Sequence, residues 1–354
     1  MPETRISQPM IVTLRAGDLD RDAPPLLKLL QEQLSTSIDF NRFDWLYRKC
    51  PHGKAEVWLA AEADSGRLVG SAAVFPRKIN LPQGESKGYV LGDFCVSADQ
   101  RSLGLAIRLQ RKCLETVQNG TCSAGFDLPS RTMLAVYRRL GLVPQTELIR
   151  MVKLLRADRK IASKIKNKTV SRVLGGAANT LLALNQGSSR KKSGVTITTQ
   201  EARCSEEYTA LAREVAGGLG ICVDRSADYL NWRYFDHPYN KYEFLAARYL
   251  GQLKGYLVFL EKDSRATIVD WFSHENRDLR MDLIRSLIVL LKQRGCESIQ
   301  ASILASHPCR EELKALGFRF RDSSPVISLR QTGRMAGNEG GNENWFLMDG
   351  DRES

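Results

Sequence analysis

The 354-residue chain has little that would hold a metal or build a disulfide framework. Its eight cysteines (Cys50, Cys95, Cys113, Cys122, Cys204, Cys222, Cys296, Cys309) stand singly, with no C-x-x-C pair. The four histidines show no ligand spacing, so His237-Pro238 and His307-Pro308 read as turn residues. No apolar run approaches the roughly 18 residues of a spanning helix, and residues 1–10 lack the charged-then-apolar pattern of a secretory leader. Scattered thiols without a leader point to a reducing cytoplasm. Acids are almost missing from residues 150–192, where twelve Lys or Arg accompany one acid, Asp158. That segment carries nearly all of the net charge of +12. No aromatic residue interleaves it, which counts against nucleic acid as a partner.

What is present is an ordinary globular composition, 43% apolar and 26% charged, in a chain long enough for two cores. Period counting predicts the order β-α-α-β-β-β-α-β-α-β over the first 150 residues, with strands near 11–15, 57–61, 68–75, 88–96 and 121–126. The predicted helices lie near 26–34, 40–50, 103–115 and 130–140, and a last strand begins at Gly141. One stretch, residues 91–107, organises the rest. An apolar strand runs through Asp93 into a turn with a single glycine, Gly104, and then into a basic amphipathic helix. A helix start of this kind offers backbone N–H groups without intrahelical partners and favours negative charge. Gly104 lets an anion approach the backbone, and Ala106 keeps the next contact small.

After the basic segment the pattern starts again. Trp45, Tyr47 and Pro51 match Trp232, Tyr234 and Pro238 at identical spacing. Asp93-Phe94 matches Asp270-Trp271, each Asp fourteen residues before an isoleucine of the next helix, Ile107 or Ile284. Leu140-Gly141-Leu142 matches Leu316-Gly317-Phe318. A tandem duplication follows, with a first domain at 10–155, a basic linker at 156–194 and a second domain at 195–349. In the second copy Arg101, Gly104 and Ala106 are replaced by Asp278, Met281 and Leu283, and Tyr137 by Leu313. An acid in place of a cation and a side chain in place of a glycine make that copy unfit to hold a phosphate.

The strand, the Arg101-x-x-Gly104-x-Ala106 turn, its helix and the later Tyr137-Arg138-Arg139-Leu140-Gly141 resemble the GNAT N-acetyltransferase superfamily. Two copies in one chain also resemble tandem GNAT proteins, including the FemAB-like group of acyl- and aminoacyltransferases. The resemblance implies an α/β fold of two GNAT-like domains, each a mixed, mainly antiparallel sheet flanked by helices. It implies acetyl-CoA (acyl-CoA) as co-substrate without a metal, and transfer to an amine by direct attack in a ternary complex. The acceptor would be a small-molecule or sugar amine, in a setting such as cell-envelope or polysaccharide metabolism. Its residues would be the backbone of Cys95 and Val96 for thioester polarisation, and Arg101, Ser102, Leu103, Gly104, Leu105 and Ala106 for the pyrophosphate. The stretch Asp127-Leu128-Pro129-Ser130 would meet the pantetheine, and Tyr137 would protonate the departing thiolate.

Each role has a plainer alternative. Tyr137 could be an aromatic anchor of its helix. Asp93, the one acid on its strand, reads as a base or amine-orienting carboxylate, yet Asp270 keeps that acid in the altered copy, which favours a structural role. Cys95 reads as a buried hydrophobe rather than a nucleophile. The basic segment reads as a solvated linker, as a surface for an anionic membrane that would make the protein peripheral to it, or as an attractor of acidic acceptors. An aminoacyltransferase using charged tRNA and a non-catalytic acyl-CoA-binding protein are the alternatives to an N-acetyltransferase. Trp232 reads as core, and residues 344–349 as an edge strand of the second domain.

Overall fold

The computed structural model describes residues 11–82, 84–119, 122–156, 194–330 and 345–353. The basic segment, apart from its first residues, lies outside them. The first half runs β1 (Val12–Ala16), α1 (Ala23–Gln33), α2 (Phe40–Phe43), β2 (Glu56–Glu62), β3 (Leu68–Leu81), β4 (Gly84–Val96), α3 (Leu103–Asn119), β5 (Cys122–Asp127), α4 (Arg131–Arg139) and β6 (Thr146–Leu154). The second runs β7 (Val195–Gln200), α5 (Glu206–Ala216), β8 (Ile221–Val223), α6 (Ala227–Leu230), β9 (Tyr242–Tyr249), β10 (Gln252–Lys262), β11 (Arg265–Ser273), α7 (Arg277–Gln293), β12 (Ser298–Leu304), α8 (Arg310–Ala315), β13 (Arg319–Arg330) and β14 (Trp345–Phe346). The predicted order of the first half holds throughout.

Local chemistry explains the boundaries. Pro24 and Pro25 sit in the first turn of α1, where a missing N–H costs nothing. Asp39 caps α2 by accepting the Arg42 N–H at 3.0 Å. Both α2 and α6 run on into a wide π-turn, at Asp44–Arg48 and Asn231–Phe235, which carries the repeated Trp and Tyr. The structure moves the β3–β4 hairpin, whose strands run to Leu81 and from Gly84 rather than to 75 and from 88, and the last strand of the first half, which begins at Thr146, not at Gly141. Gly141 has φ 78° and ends α4, with the Leu142 N–H returning to the Tyr137 carbonyl at 2.9 Å, so residues 141–145 form a helix stop.

The strands form one sheet in the order β1-β2-β3-β4-β5-β13-β6-β12-β11-β10-β9-β7. Within that order each half contributes one parallel pair, β4 with β5 and β11 with β12, among antiparallel neighbours. At the centre the last strands are exchanged: β6 pairs with β12 of the second half, and β13 pairs with β5 of the first. The two meet antiparallel as β6·β13. The two halves of the chain therefore interlock, around three hydrophobic clusters.

Trp45 and Trp232 mark the junction. Their rings stack with centroids 4.8 Å apart, and each indole N–H donates to the other's backbone carbonyl, at 2.9 and 3.0 Å. The reciprocal bond gives the repeated tryptophans a packing role. The end of the chain corrects another expectation: β14 does not extend the second half's sheet edge. It pairs in parallel with β8, which pairs in turn with β3 of the first half. From there residues 349–353 pass between the halves, with Arg233 Nε donating to the Gly350 carbonyl at 2.8 Å.

Candidate active site

Strands β4 and β5 pair only as far as Val90 and Phe126, then diverge. Beyond that point β4 keeps its ladder with β3 to Val96, and among the described residues no strand pairs with its other side. Backbone groups facing the opening are thus left for a ligand. A bulge falls at Asp93, whose φ of 45° is one that an L-residue seldom adopts. Three hydrogen bonds hold its carboxylate there: Arg42 grips both oxygens at 2.8 and 2.9 Å, and the Tyr47 hydroxyl donates to one of them at 2.7 Å. All three are buried, and Arg42 and Tyr47 come from the α2 segment. In the second half Arg225 Nε lies 2.9 Å from Asp270. The acid shared by the copies thus ties the sheet to the helical entrance in both.

The floor of the opening carries chemistry that is legible only in three dimensions. Asp127 ends β5 in the angle of the splay, and the Tyr137 hydroxyl donates a short hydrogen bond to it. Gln110 of α3 donates to the same hydroxyl at 2.8 Å. Burial pushes the Asp127 carboxyl up to about 7, against the Tyr137 hydrogen bond and helped by the nearby charge of Glu353. Burial, and then the charge of Asp127, hold the Tyr137 phenol well above its ordinary value, so it keeps its proton. Glu353 arrives from the far end of the chain and lies against Gly92, where a Cβ would stand 2.5 Å from its Cγ. Its own carboxyl is raised, first by burial and then by Asp93. The sequence reading missed Glu353 and gave Asp127 only a pantetheine contact. An acid closing a strand that runs beside the organising turn was the signal available for Asp127. Removing the charge in Glu353→Gln should lower the Asp127 pKa, moving any titration of Asp127 seen by carboxylate NMR to lower pH.

The anion turn follows β4. A single 3₁₀ turn at Ala98–Gln100 leads to Arg101 and Ser102, both exposed, and Leu103 opens α3. Ser102 caps the helix, its Oγ accepting the Leu105 N–H at 3.2 Å and its carbonyl the Ala106 N–H at 3.2 Å. Leu105 and Ala106 face the core. A Cβ at Gly104 would meet nothing within 4 Å, so the fold does not need a glycine there, and the space outside it is open. At the matching position of the second half, Met281 and Leu283 are buried side chains of α7.

Cys95 is buried beside Ser71, 3.3 Å from its hydroxyl, and burial lifts its thiol to about 11, so it is no nucleophile at neutral pH. Ser130 caps α4, accepting the Met133 N–H at 3.2 Å. The turn histidines accept backbone N–H bonds through Nδ1, His237 from Tyr239 and Asn240 and His307 from Cys309. Among the described residues no three His, Cys, Asp or Glu side chains are placed to share a metal ion, and no helix is long and apolar enough to cross a membrane.

A mixed sheet with one parallel pair opening beside a basic helix start is the fold of the GNAT superfamily, and this chain has that fold. Solved structures agree. A conserved protein of Enterococcus faecalis described as a probable N-acyltransferase superposes with a TM-score of 0.65 at 10% identity, over 91% of this chain and 72% of its own. A GCN5-related N-acetyltransferase from Anabaena variabilis gives 0.63 at 9% identity, over 91% and 74%. Saccharomyces cerevisiae N-myristoyltransferase, solved with bound myristoyl-CoA, gives 0.55 at 12% identity, over 93% and 86%. By sequence, no family model and no curated protein matches the chain.

Proposed function

We propose that the protein is an acyl-CoA-dependent N-acyltransferase whose working site is the β4–β5 opening of the first half. The simplest donor is acetyl-CoA and the acceptor an amine of a small molecule or sugar. The observation that carries this reading is the Asp127–Tyr137 pair at the floor of an opening whose rim is an uncrowded helix start. The pyrophosphate would lie at the α3 start, against Arg101 and the N–H groups of Leu103 and Gly104. The thioester carbonyl would accept from N–H groups of β4 near Cys95 and Val96, which would stabilise the oxyanion as the amine attacks. A carboxylate titrating near neutrality is matched to taking the ammonium proton at the attacking nitrogen. The phenol of Tyr137, protonated at every ordinary pH, gives its proton to the departing thiolate and recovers one from Asp127 along their hydrogen bond. The amine proton ends on the CoA thiol, and the C–S bond is exchanged for a C–N bond. Asp93 in this scheme positions β4 through Arg42 and Tyr47, rather than serving as base.

The second half, with its helix start filled by Met281, contributes walls rather than a second donor site. The basic segment between the halves would serve the same chemistry by drawing the protein to an anionic membrane surface or to acidic acceptors. The test is release of free CoA thiol from acetyl-CoA across a panel of amines. The reading expects amine-dependent release from at least one acceptor; tight acetyl-CoA binding with no release from any would make the protein a binder instead.

A further inference from the structure

β4 and β5 run parallel, so α3 and α4, which follow them, both start beside the opening and run back from it. They pack together, with Gln110 of α3 reaching Tyr137 of α4 at 2.8 Å. Their outer face is made of arginine. Arg101, Arg108 and Arg111 are exposed before and along α3, and Arg131, Arg138 and Arg139 along α4. Arg101 and Arg108 each give one N–H to a backbone carbonyl, of Val96 at 3.5 Å and Val12 at 3.3 Å. Among the described residues none of the six is in an ion pair: Glu115, the one acid on either helix, is held by Lys112, and Asp99 before the turn by Arg67. Like charges three or four apart on a helix face repel one another, so this face has a cost that an anionic partner would remove. The second half shows that the fold does not require it. On the matching helices α7 and α8, acids stand among the cations and pair with them: Arg280 with Glu312, Arg285 with Asp282 and Lys314 with Glu311. The unanswered charge belongs to the half with the open helix start.

Reach and surface chemistry then select the partner. At 1.5 Å per residue, Arg111, Arg138 and Arg139 stand about 10 Å or more behind the helix starts, beyond a pyrophosphate held at the rim. An anion that answers them must cover two helices, which is the scale of a protein surface. Guanidinium forks suit carboxylates. Among the described side chains of α3 and α4 no large apolar one is exposed, so the face offers nothing to insert into a bilayer. No exposed ring among them offers a base a stacking platform. An acidic protein docked here would cover the mouth through which the acyl thioester enters, and an acyl carrier brings its thioester on a flexible phosphopantetheine arm. We propose that the first half accepts its acyl group from an acidic carrier protein, docked on the arginine face of α3 and α4, as well as from acyl-CoA. The proposal rests on the acyltransferase reading of the β4–β5 opening. The arm's phosphodiester would take the place of the pyrophosphate beside Gly104. The acceptor nitrogen bonds the acyl carbon, the carbon–sulfur bond breaks, and the amine proton ends on the carrier's thiol.

The probe is a fluorescently labelled acyl carrier protein in two forms, without its arm and with an acetylated arm. Anisotropy at low ionic strength should show saturable binding of both, tighter for the acetylated form and lost in half-molar salt. The double variant Arg111→Glu/Arg138→Glu changes two exposed positions away from the rim. It should weaken both forms by about 10- to 100-fold, as like charges set face to face do, and leave the thermal shift by acetyl-CoA unchanged. In Gly104→Glu the two forms should bind alike, because the arm no longer enters. The proposal is overturned if neither form binds, if the double variant binds as tightly as the wild type, or if the arm adds nothing in the wild type. It is equally overturned if phosphatidylglycerol vesicles or a transfer RNA bind this face more tightly than the carrier does. Failure of the carrier beside an intact acetyl-CoA shift removes the docking alone, whereas a wild type that ignores acetyl-CoA removes the reading beneath it.

Discussion

Asp127→Asn should lower kcat for acyl transfer by about 10²–10⁴, the usual worth of a positioned general base, while leaving the protein more stable at pH 8. The two effects come from one property. Asp127 has a folded pKa of about 7 against an ordinary 3.8, so between those values the folded chain holds a proton that the unfolded chain has released. Stability contributed by this group is complete below pH 4 and is lost as pH rises through 7. Asn accepts the Tyr137 hydrogen bond in the same place and carries no charge to desolvate. The wild type should therefore show a Tm that falls from pH 4 to pH 8 relative to the variant. Its rate should rise with pH through an apparent pKa near 7. A variant that loses activity and stability together at pH 8 would assign Asp127 to packing rather than to proton transfer.

Arg42→Ala should destabilise the fold by about 3–5 kcal/mol, the cost of leaving a buried charge without its partner. Arg42 bonds both oxygens of Asp93 in a site from which water is nearly excluded, and Tyr47 alone cannot replace it. Urea denaturation measures the loss. Because Asp93 sits at φ 45° on the strand that lines the opening, acetyl-CoA affinity should fall with stability. A loss of less than about 1 kcal/mol, the level of an exposed pair, would show that the bulge does not depend on the clamp.

How much of this could be read from the chain follows the range of the interactions. Alternating and helical periods are local, and the elements they predict stand in the predicted order. The repeat of Trp45 at Trp232 was visible as spacing, and the reciprocal indole bonds show why both residues are tryptophan. The exchange of β6 and β13 was not legible, since each strand's own pattern is equally satisfied beside either neighbour. The redirected tail has the same cause: Trp345 and Phe346 had the composition of an edge strand, but β8 offered a pairing edge deeper in the molecule.

Within the site, the helix start at Ser102 and Gly104 could be read because capping and glycine are sequence-local. The roles of the two acids could not. Asp93 looked available on an apolar strand and is engaged by a guanidinium from another segment, whereas Asp127 looked incidental and is the carboxyl that burial has raised. Glu353 reaches the floor only through the path of residues 345–353 and the gap left by Gly92. Desolvation is a property of the packed molecule, and no spacing of residues encodes it directly.

The most direct test is the thermal shift produced by acetyl-CoA in the wild type, in Gly104→Glu and in Met281→Ala. A Cβ at Gly104 has open space around it, so the glutamate variant should fold with an unchanged baseline Tm. Its carboxylate would then stand at the proposed pyrophosphate site. The account predicts a clear stabilisation in the wild type, none in Gly104→Glu, and an undiminished shift in Met281→Ala despite a lower baseline. Equal stabilisation of Gly104→Glu and the wild type, or a shift lost only in Met281→Ala, would contradict it.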